Sequence, residues 1–185
     1  YILSNEHWHM EGTKYAVPPN AFTLKCEEPP SSGGDTEFAN LFAAYADLPA
    51  SRKAQLEGLR VVHSAEAANL RFFKNPSAED RQRWLKDGPP TEQPLVWKQS
   101  DGRTSLVIGS TADHIVGMDV EEGRALLNEL LTWCTQPQYC YRHKWQKGDM
   151  VIFNNCGLLH RAHHYTVDSG RLMHRTTIMG TEAFA

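Results

Sequence analysis

The chain has 185 residues, of which 41% are hydrophobic and 22% charged, a balance typical of globular proteins and not of disordered, coiled-coil or collagen-like chains. Nineteen basic and 22 acidic residues give a formal net charge of -3, so the charge gives no indication of a nucleic-acid partner. No apolar run approaches the roughly 18 residues that a membrane-spanning helix needs, and we expect no membrane partner.

Length and cysteine usage set the expected domain organisation and compartment. Domains usually hold roughly 100–200 residues, so residues 1–185 are predicted to form a single domain. The chain begins at Tyr1 with neither an initiator methionine nor a signal-peptide pattern, and we expect that an N-terminal segment is missing. The cysteine spacings form no CxxC pair or zinc-finger pattern, which favours reduced, mostly buried thiols in a cytoplasmic protein. The cysteines are Cys26, Cys134, Cys140 and Cys156.

The first half of the chain carries turn and helix signals. Proline, serine and glycine are dense from Pro29 to Asp35, which predicts a turn. The last residue of that turn, or Thr36, is expected to cap a helix over Glu37 to Leu48, where apolar residues recur at helical spacing. Two further helices are predicted, one beginning at Pro49 and ending near Gly58, the other running from Ser77 to Lys86.

The second half combines short strand-like runs with one strong helix. Val120 to Cys134 is predicted to be a helix with an apolar face. Asp101-Gly102 is a hairpin turn signal between the first two runs. The strand-like runs are Pro94 to Gln99, Thr104 to Ile108, His114 to Met118, Gln138 to Trp145, Asp149 to Phe153 and Arg171 to Met179. Many short strands with a few inserted helices favour an antiparallel sandwich or barrel over an alternating parallel sheet.

The triplet His9-Met10-Glu11 is the first candidate for chemistry. In a strand, residues two apart point to the same face, so His9 and Glu11 would present an imidazole and a carboxylate side by side. A third ligand, for which His160 is the candidate, would complete a two-histidine, one-carboxylate set. That set leaves three positions open on an octahedral metal and is typical of non-haem Fe(II) oxygenases. Taken alone, such a triplet is more often a surface pair than a ligand set.

Arg171 and Arg175 are the second candidate. They are four residues apart, so on one strand they share a face. Two arginines on one face repel each other unless each binds an anion, and the planar guanidinium suits bidentate binding of a carboxylate. The alternative is a pair of surface arginines on an edge strand, paired with acids such as Asp168.

Five stretches together carry a family resemblance, in the same order and at compatible spacing across nearly the whole chain. They are Asn5 to Glu11, Pro18 to Thr36, Trp145 to Asp149, Leu159 to Ala162 and Arg171 to Ile178. In these stretches the chain resembles the TauD/TfdA family of Fe(II)- and 2-oxoglutarate-dependent dioxygenases. The resemblance implies a mainly β, cupin-like jelly roll (double-stranded β-helix) with helical insertions. It also implies that residues 1–185 are a single catalytic domain lacking an N-terminal segment.

The resemblance assigns the cofactor site residue by residue. His9, Glu11 and His160 match the iron ligands and are the expected catalytic residues. Thr36 falls where the family places a hydroxyl near the cosubstrate 2-oxoglutarate, and Arg171 where an arginine holds its distal carboxylate. The family usually has Asp at the position of Glu11, so the longer Glu side chain must fold back to reach the metal.

The resemblance also suggests a substrate pocket. Arg175 matches an arginine that in some members binds the anionic group of the primary substrate. Asn5 and Gly12 match positions that line the pocket in taurine-type members, and Phe153 takes the place of an aromatic residue beside the iron.

The implied activity is hydroxylation, with cleavage where the product fragments, of a small anionic substrate such as a sulfonate, a carboxylate or an amino-acid derivative. It needs Fe(II), 2-oxoglutarate and O2, and we expect a homo-oligomer. Two alternatives stay open. A site of two histidines and one glutamate also suits a zinc hydrolase. The same jelly roll could serve as a non-enzymatic metal-binding or ligand-binding module.

Overall fold

Eleven strands, five α-helices and three short 3₁₀-helices make up the secondary structure of residues 3–185, the part of the chain that this computed structural model describes. The strands are β1 (Ala21–Glu28), β2 (Thr36–Asn40), β3 (Arg60–His63), β4 (Thr91–Pro94), β5 (Val96–Lys98), β6 (Thr104–Leu106), β7 (Ala112–Ile115), β8 (Cys140–His143), β9 (Met150–Asn154), β10 (Leu158–Ala162) and β11 (Leu172–Ile178). The helices are α1 (Leu41–Ala46), α2 (Ala50–Leu56), α3 (Ala65–Asn69), α4 (Ala78–Asp87) and α5 (Val120–Cys134).

The strands form small antiparallel sheets. Two three-stranded sheets, with strand orders β11-β1-β9 and β10-β2-β8, carry Thr36, Phe153, His160 and Arg175 of the candidate site. A third has the order β4-β3-β7, and β5 and β6 form a hairpin through the predicted turn. These pairings confirm the antiparallel arrangement predicted from the short strands.

Three phenylalanines pack between the two sheets of the site. Phe22 of β1 and Phe153 of β9 are opposite each other in one sheet, with ring centroids 5.8 Å apart. Phe38 of β2 comes from the other sheet and lies 5.1 Å from the Phe153 ring. All three are buried. Because side chains alternate between the faces of a strand, this cluster fixes which face of each sheet looks towards the other.

A larger core lies beneath helices α1 and α5. Leu41 of α1 and Leu130 of α5 are buried there, together with Trp97 of β5. The prediction of α5 is confirmed over its full length, and Asp119 caps it by accepting bonds from the N–H groups of Glu121 and Glu122. Burial of the apolar face of α5 therefore stabilises the side of the domain away from the phenylalanine cluster.

The predicted helix over Glu37 to Leu48 is wrong in its first part. Thr36–Asn40 forms β2, and the helix covers only Leu41–Ala46. The strand lies between β10 and β8, so its backbone is paired on both edges. Those long-range pairings outweigh a local helical spacing. The cap is Asn40, whose side chain accepts a bond from the N–H of Ala43.

Several other expectations have clear outcomes. The helices predicted from Pro49 and Ser77 are confirmed as α2 and α4, and Ser77 forms a capping box with Asp80. The sequence pattern did not predict strands β1, β3, β4 and β10 or helix α3. The four cysteines form no disulfide, and three of them are buried. Among residues 3–185, no helix combines the length and apolar character needed to cross a membrane.

Candidate metal and anion site

The backbones of His9 and His160 are joined directly. His9 lies outside the named strands, in a single antiparallel bridge opposite His160 of β10. The His9 N–H donates to the His160 carbonyl at 3.1 Å, and the His160 N–H donates to the His9 carbonyl at 3.0 Å. The two imidazole rings lie side by side, with centroids 4.1 Å apart. The strand expected over His9 to Glu11 is reduced to this bridge, because residues 11–14 form a turn.

Glu11 brings a carboxylate to these two rings. One ligand atom from each of His9, Glu11 and His160 lies within 4.8 Å of the others, so a single metal ion could contact all three. The Glu11 Oε1 atom is 3.9 Å from His9 Nε2 and accepts a bond from Arg175 Nη1 at 2.7 Å. The Glu11 backbone is held separately, because the Asn155 side-chain amide bonds both its N–H and its carbonyl at 3.0 Å.

Both imidazoles are favoured in their neutral form. The His9 Nδ1 atom donates to the His7 carbonyl at 2.8 Å, which leaves the lone pair of Nε2 free. Burial lowers the pKa of His9, against the opposing charge of Glu11. Burial, with the nearby charges of His9 and Arg175, lowers the pKa of His160 well below its usual value. Neutral histidine is the form that binds metals.

The donor set fits a divalent metal. Two imidazoles and one carboxylate are the facial set associated with non-haem Fe(II), and three positions on such an ion stay open to other ligands. The Nδ1 atom of His160 is buried and has no hydrogen-bond partner within residues 3–185. The His160 ring therefore has a buried nitrogen without a hydrogen bond to any described residue.

Arg171 gives the same centre a site for an anion. It lines a cavity of about 110 Å3 together with Thr36 and the three candidate metal ligands. Its Nε atom is buried without a partner in the described part of the chain, and its guanidinium carbon lies 4.7 Å from the Tyr165 ring centroid. A buried guanidinium nitrogen without a partner is costly until an acceptor binds it. Because this nitrogen is buried, Arg171 is not the surface arginine paired with Asp168 that the alternative describes.

Thr36 is oriented by a tryptophan. The indole N–H of Trp145 donates to Thr36 Oγ1 at 2.9 Å, and both side chains are buried. An indole N–H can only donate, so the Thr36 oxygen must accept, and its own proton is available for another acceptor. Thr36 and Arg171 therefore offer an anion two donors in one cavity.

The glycine-rich turn before β2 determines where Arg171 can lie. Gly33 and Gly34 have φ values of +70° and +68°, a conformation that favours glycine. The Gly34 N–H donates to the His164 carbonyl at 3.1 Å, which ties the turn to the segment after β10. A Cβ atom on Gly34 would lie 2.6 Å from Pro30 Cγ and 3.4 Å from Arg171 Cδ and Nε. The turn signal in the sequence thus marks a close approach beside the arginine.

The remaining predicted site residues lie around the same centre. Asn5, Phe153 and Arg175 line the cavity of about 110 Å3, and the Phe153 ring centroid is 4.9 Å from that of His160. Gly12 lines an adjoining cavity of about 370 Å3, which shares Asn5 and the two N-terminal ligand residues with the first. The site thus has two adjoining cavities that meet at the candidate ligands.

Sequence reasoning missed several residues that support this site. Asn155 and Tyr165 carried no local signal, and both were identified only by their contacts. Glu37 of β2 accepts bonds from Arg161 at 2.9 Å and from His163 at 3.1 Å, beside the strand that carries a candidate ligand. Burial alone would raise the pKa of Glu37, but the bonds and charges of Arg161 and then His163 lower it. Such contacts join residues far apart in the chain, so no short motif reveals them.

Comparison with known proteins gives concordant matches. Residues 2–177 match the family model described as taurine catabolism dioxygenase TauD, TfdA family. The chain is 38% identical over 179 residues to an alpha-ketoglutarate-dependent 2,4-dichlorophenoxyacetate dioxygenase of Burkholderia sp. (strain RASC). The aligned region covers 96% of this chain and 59% of the relative. It is 34% identical over 186 residues to an (S)-phenoxypropionate/alpha-ketoglutarate-dioxygenase of Sphingobium herbicidovorans. That aligned region covers 98% of this chain and 65% of the relative.

A solved structure is also similar. The crystal structure of AAD-2 in complex with Mn(II) and N-oxalylglycine matches with a TM-score of 0.90 and 34% identity, covering 100% of this chain and 72% of that one. The chain therefore matches these proteins over nearly its whole length but spans only part of theirs, 59% and 65% for the two relatives compared by sequence.

Proposed function

Because the chain belongs to the TauD, TfdA family, we propose that it is the catalytic part of an Fe(II)- and 2-oxoglutarate-dependent dioxygenase that oxidises a small anionic substrate. The observation that carries this proposal is a single cavity lined by two neutral histidines, a carboxylate and Arg171, whose buried Nε atom has no partner among the described residues. A dicarboxylate cosubstrate needs a buried cation beside the metal ligands to bind its second carboxylate. Hydrolysis at a metal has no such need.

His9, Glu11 and His160 are the proposed metal ligands. Fe(II) bound by them would supply the oxidative chemistry, with 2-oxoglutarate and O2 as co-reactants. The protein contributes a rigid frame, since the two histidines share backbone hydrogen bonds. Arg175 neutralises the Glu11 carboxylate and holds it beside the rings.

Arg171 and Thr36 are proposed to hold the distal carboxylate of 2-oxoglutarate. The guanidinium provides charge and paired N–H donors, and the Thr36 hydroxyl provides a proton because Trp145 occupies its acceptor side. The two side chains would orient the cosubstrate and exclude water from its anionic end.

The primary substrate is proposed to bind at the junction of the two cavities, near Asn5, Gly12 and Arg175. Arg175 uses one nitrogen on Glu11, and a guanidinium carries five N–H donors, so it keeps donors for a substrate anion. Phe153 would limit the space beside the metal. Sulfonates, carboxylates and amino-acid derivatives all fit this chemistry. The names of the relatives make aryloxyalkanoic acids the first carboxylates to test.

The two sheets around the phenylalanine cluster are proposed to be the two halves of a jelly roll. We also propose a homo-oligomeric, cytoplasmic enzyme. Light scattering coupled to size exclusion would measure the assembly state, and a mass equal to one chain would contradict the homo-oligomer.

The direct test of function is substrate-dependent formation of succinate from 2-oxoglutarate. Fe(II)-loaded protein should release succinate and consume O2 when an anionic substrate from the screen is added. Arg171→Ala should lose this turnover at low 2-oxoglutarate concentration. Zn(II)-dependent hydrolysis without 2-oxoglutarate would instead support a hydrolase, and ligand binding without either reaction would support a binding module.

A further inference from the structure

Asn155 is a fully buried amide that bonds the backbone of Glu11. Its Oδ1 atom accepts a bond from the Glu11 N–H at 3.0 Å, and its Nδ2 atom donates to the Glu11 carbonyl at 3.0 Å. The same Nδ2 donates to the Pro19 carbonyl at 2.8 Å, and the Asn155 N–H donates to the Asn20 carbonyl at 2.9 Å. With 0% of its surface exposed, both amide protons and the oxygen of this side chain are used within the protein.

This contact replaces a strand pairing that Glu11 lacks. His9 is held to His160 by two backbone hydrogen bonds, but the chain turns at Glu11 and leaves the sheet. The Asn155 amide presents one donor and one acceptor to Glu11, as the peptide group of a neighbouring strand would. Asn155 also lies five residues before His160, so one short segment is bonded to both Glu11 and His9.

We propose that Asn155 is a positioning residue for the metal site, which sets the place of the Glu11 carboxylate by holding the Glu11 backbone. The inference rests on the proposed function only in taking His9, Glu11 and His160 as metal ligands. Arg175 holds the carboxylate end of the side chain at 2.7 Å, and Asn155 holds its backbone end.

Glutamate makes this support necessary. Its side chain has more rotatable bonds than that of aspartate, so ordering the carboxylate costs more conformational entropy. A backbone free to shift would add further positions to that ensemble. Hydrogen-bonding partners that orient ligands typically affect metal affinity about 10-fold to 100-fold when they are removed.

Gln93 of β4 provides a matched control. It is also a buried side-chain amide, with 4% of its surface exposed, and it also donates to backbone carbonyls close to Glu11 in the chain. Its Nε2 atom bonds the Thr13 carbonyl at 2.8 Å and the Tyr15 carbonyl at 3.1 Å, and it makes no hydrogen bond to Glu11. Loss of either amide should destabilise the fold, but only Asn155 should affect the ligand set.

The experiment is Mn(II) titration of the whole chain, with free Mn(II) followed by electron paramagnetic resonance, on the parent protein, Asn155→Ala and Gln93→Ala. We expect Asn155→Ala to weaken Mn(II) binding about 10-fold to 100-fold. Gln93→Ala should stay within about twofold of the parent at a similar loss of thermal stability. The visible absorption of bound Co(II) should change in Asn155→Ala and not in Gln93→Ala, because it reports ligand geometry. Equal Mn(II) affinities and Co(II) spectra in the two variants would overturn the inference.

A second variant keeps the inference testable if Asn155→Ala does not fold. Asn155→Asp keeps, at the same side-chain length, an oxygen that accepts from the Glu11 N–H and loses the amide donor, and we expect its Mn(II) affinity to lie between those of the parent and Asn155→Ala. If both Asn155 variants fail to fold while Gln93→Ala folds, Asn155 supports the fold as a whole and the inference is wrong. A parent protein that binds neither Mn(II) nor Co(II) would instead contradict the proposed function.

Discussion

At the scale of single residues, the site depends on groups that determine whether a neighbouring atom donates or accepts a hydrogen bond. The Trp145 indole can only donate, which makes the Thr36 oxygen an acceptor and frees the hydroxyl proton. The His7 carbonyl can only accept, which places the His9 proton on Nδ1. The tautomer of His9 and the acceptor role of the Thr36 oxygen are thus set before any ligand binds.

Trp145→Phe should weaken 2-oxoglutarate binding. The variant removes the N–H that orients Thr36 and keeps most of the aromatic volume, so the loss should be about threefold to tenfold, as for one hydrogen bond. The dissociation constant of 2-oxoglutarate can be measured calorimetrically with Mn(II) bound. Trp133→Phe is the control, because its indole N–H donates to the Ala44 carbonyl, outside the lining of the cavity. Equal affinities in the two variants would contradict this role.

His63 should make the fold sensitive to acid. It is 1% exposed, and burial lowers its pKa from 6.5 to about 4. The unfolded chain takes up the proton near pH 6.5 and the folded chain does not, so stability is complete above that pH and falls as the pH drops towards about 4. Between pH 8 and pH 5 this amounts to about 2 kcal/mol.

Urea unfolding of the parent and of His63→Gln at these two pH values measures the effect. The free energy of unfolding of the parent should fall by about 2 kcal/mol more than that of the variant. The other histidines are common to both proteins and cancel in the difference. Parallel pH dependences would show that His63 is protonated equally in the folded and unfolded chains.

At the scale of elements, long-range pairing decides what local pattern cannot. The apolar spacing after Glu37 predicts a helix, yet Thr36–Asn40 is the middle strand of its sheet. By contrast, α5 is predicted correctly because its apolar face and Asp119 cap are local signals. The turn before β2 was also evident in the sequence, although its contact with Arg171 was not.

Gly34→Ala should impair both the turn and the anion site. An alanine at φ +68° is strained by roughly 1 kcal/mol, and its Cβ would lie 2.6 Å from Pro30 Cγ and 3.4 Å from Arg171 Cδ. Gly58→Ala is the matched control, because Gly58 has φ +75° and nothing within 4 Å of an added Cβ. Both variants should lose stability in urea through the strained φ, and Gly34→Ala should lose more, because only its Cβ meets a neighbouring atom. Only Gly34→Ala should bind 2-oxoglutarate more weakly, on the order of tenfold, because the contact with Pro30 forces the turn to shift and the turn packs against Arg171. Unchanged affinity would show that Arg171 tolerates the displacement.

At the scale of the whole molecule, the sequence predicted the antiparallel architecture and located the candidate site, but not what supports it. The order of the motifs pointed to His9, Glu11 and His160, which the structure brings within 4.8 Å of one another. Strands β1, β3 and β10 and the role of Asn155 depend on partners distant in the chain, and a single sequence does not show those partners. The alternative of two surface arginines on an edge strand also needed the fold to be tested. Strand β11 lies at the edge of its sheet and Arg175 is exposed, whereas the Nε atom of Arg171 is buried.

The most direct measurement is anaerobic titration of the protein with Fe(II) and then 2-oxoglutarate, watched by visible absorption. If the three ligands and Arg171 form one site, a weak metal-to-ligand charge-transfer band should appear when 2-oxoglutarate is added. It should be lost in Arg171→Ala at the same ligand concentration. Absence of the band from folded, Fe(II)-bound parent protein, or its undiminished presence in Arg171→Ala, would contradict a site shared by the metal and the cosubstrate.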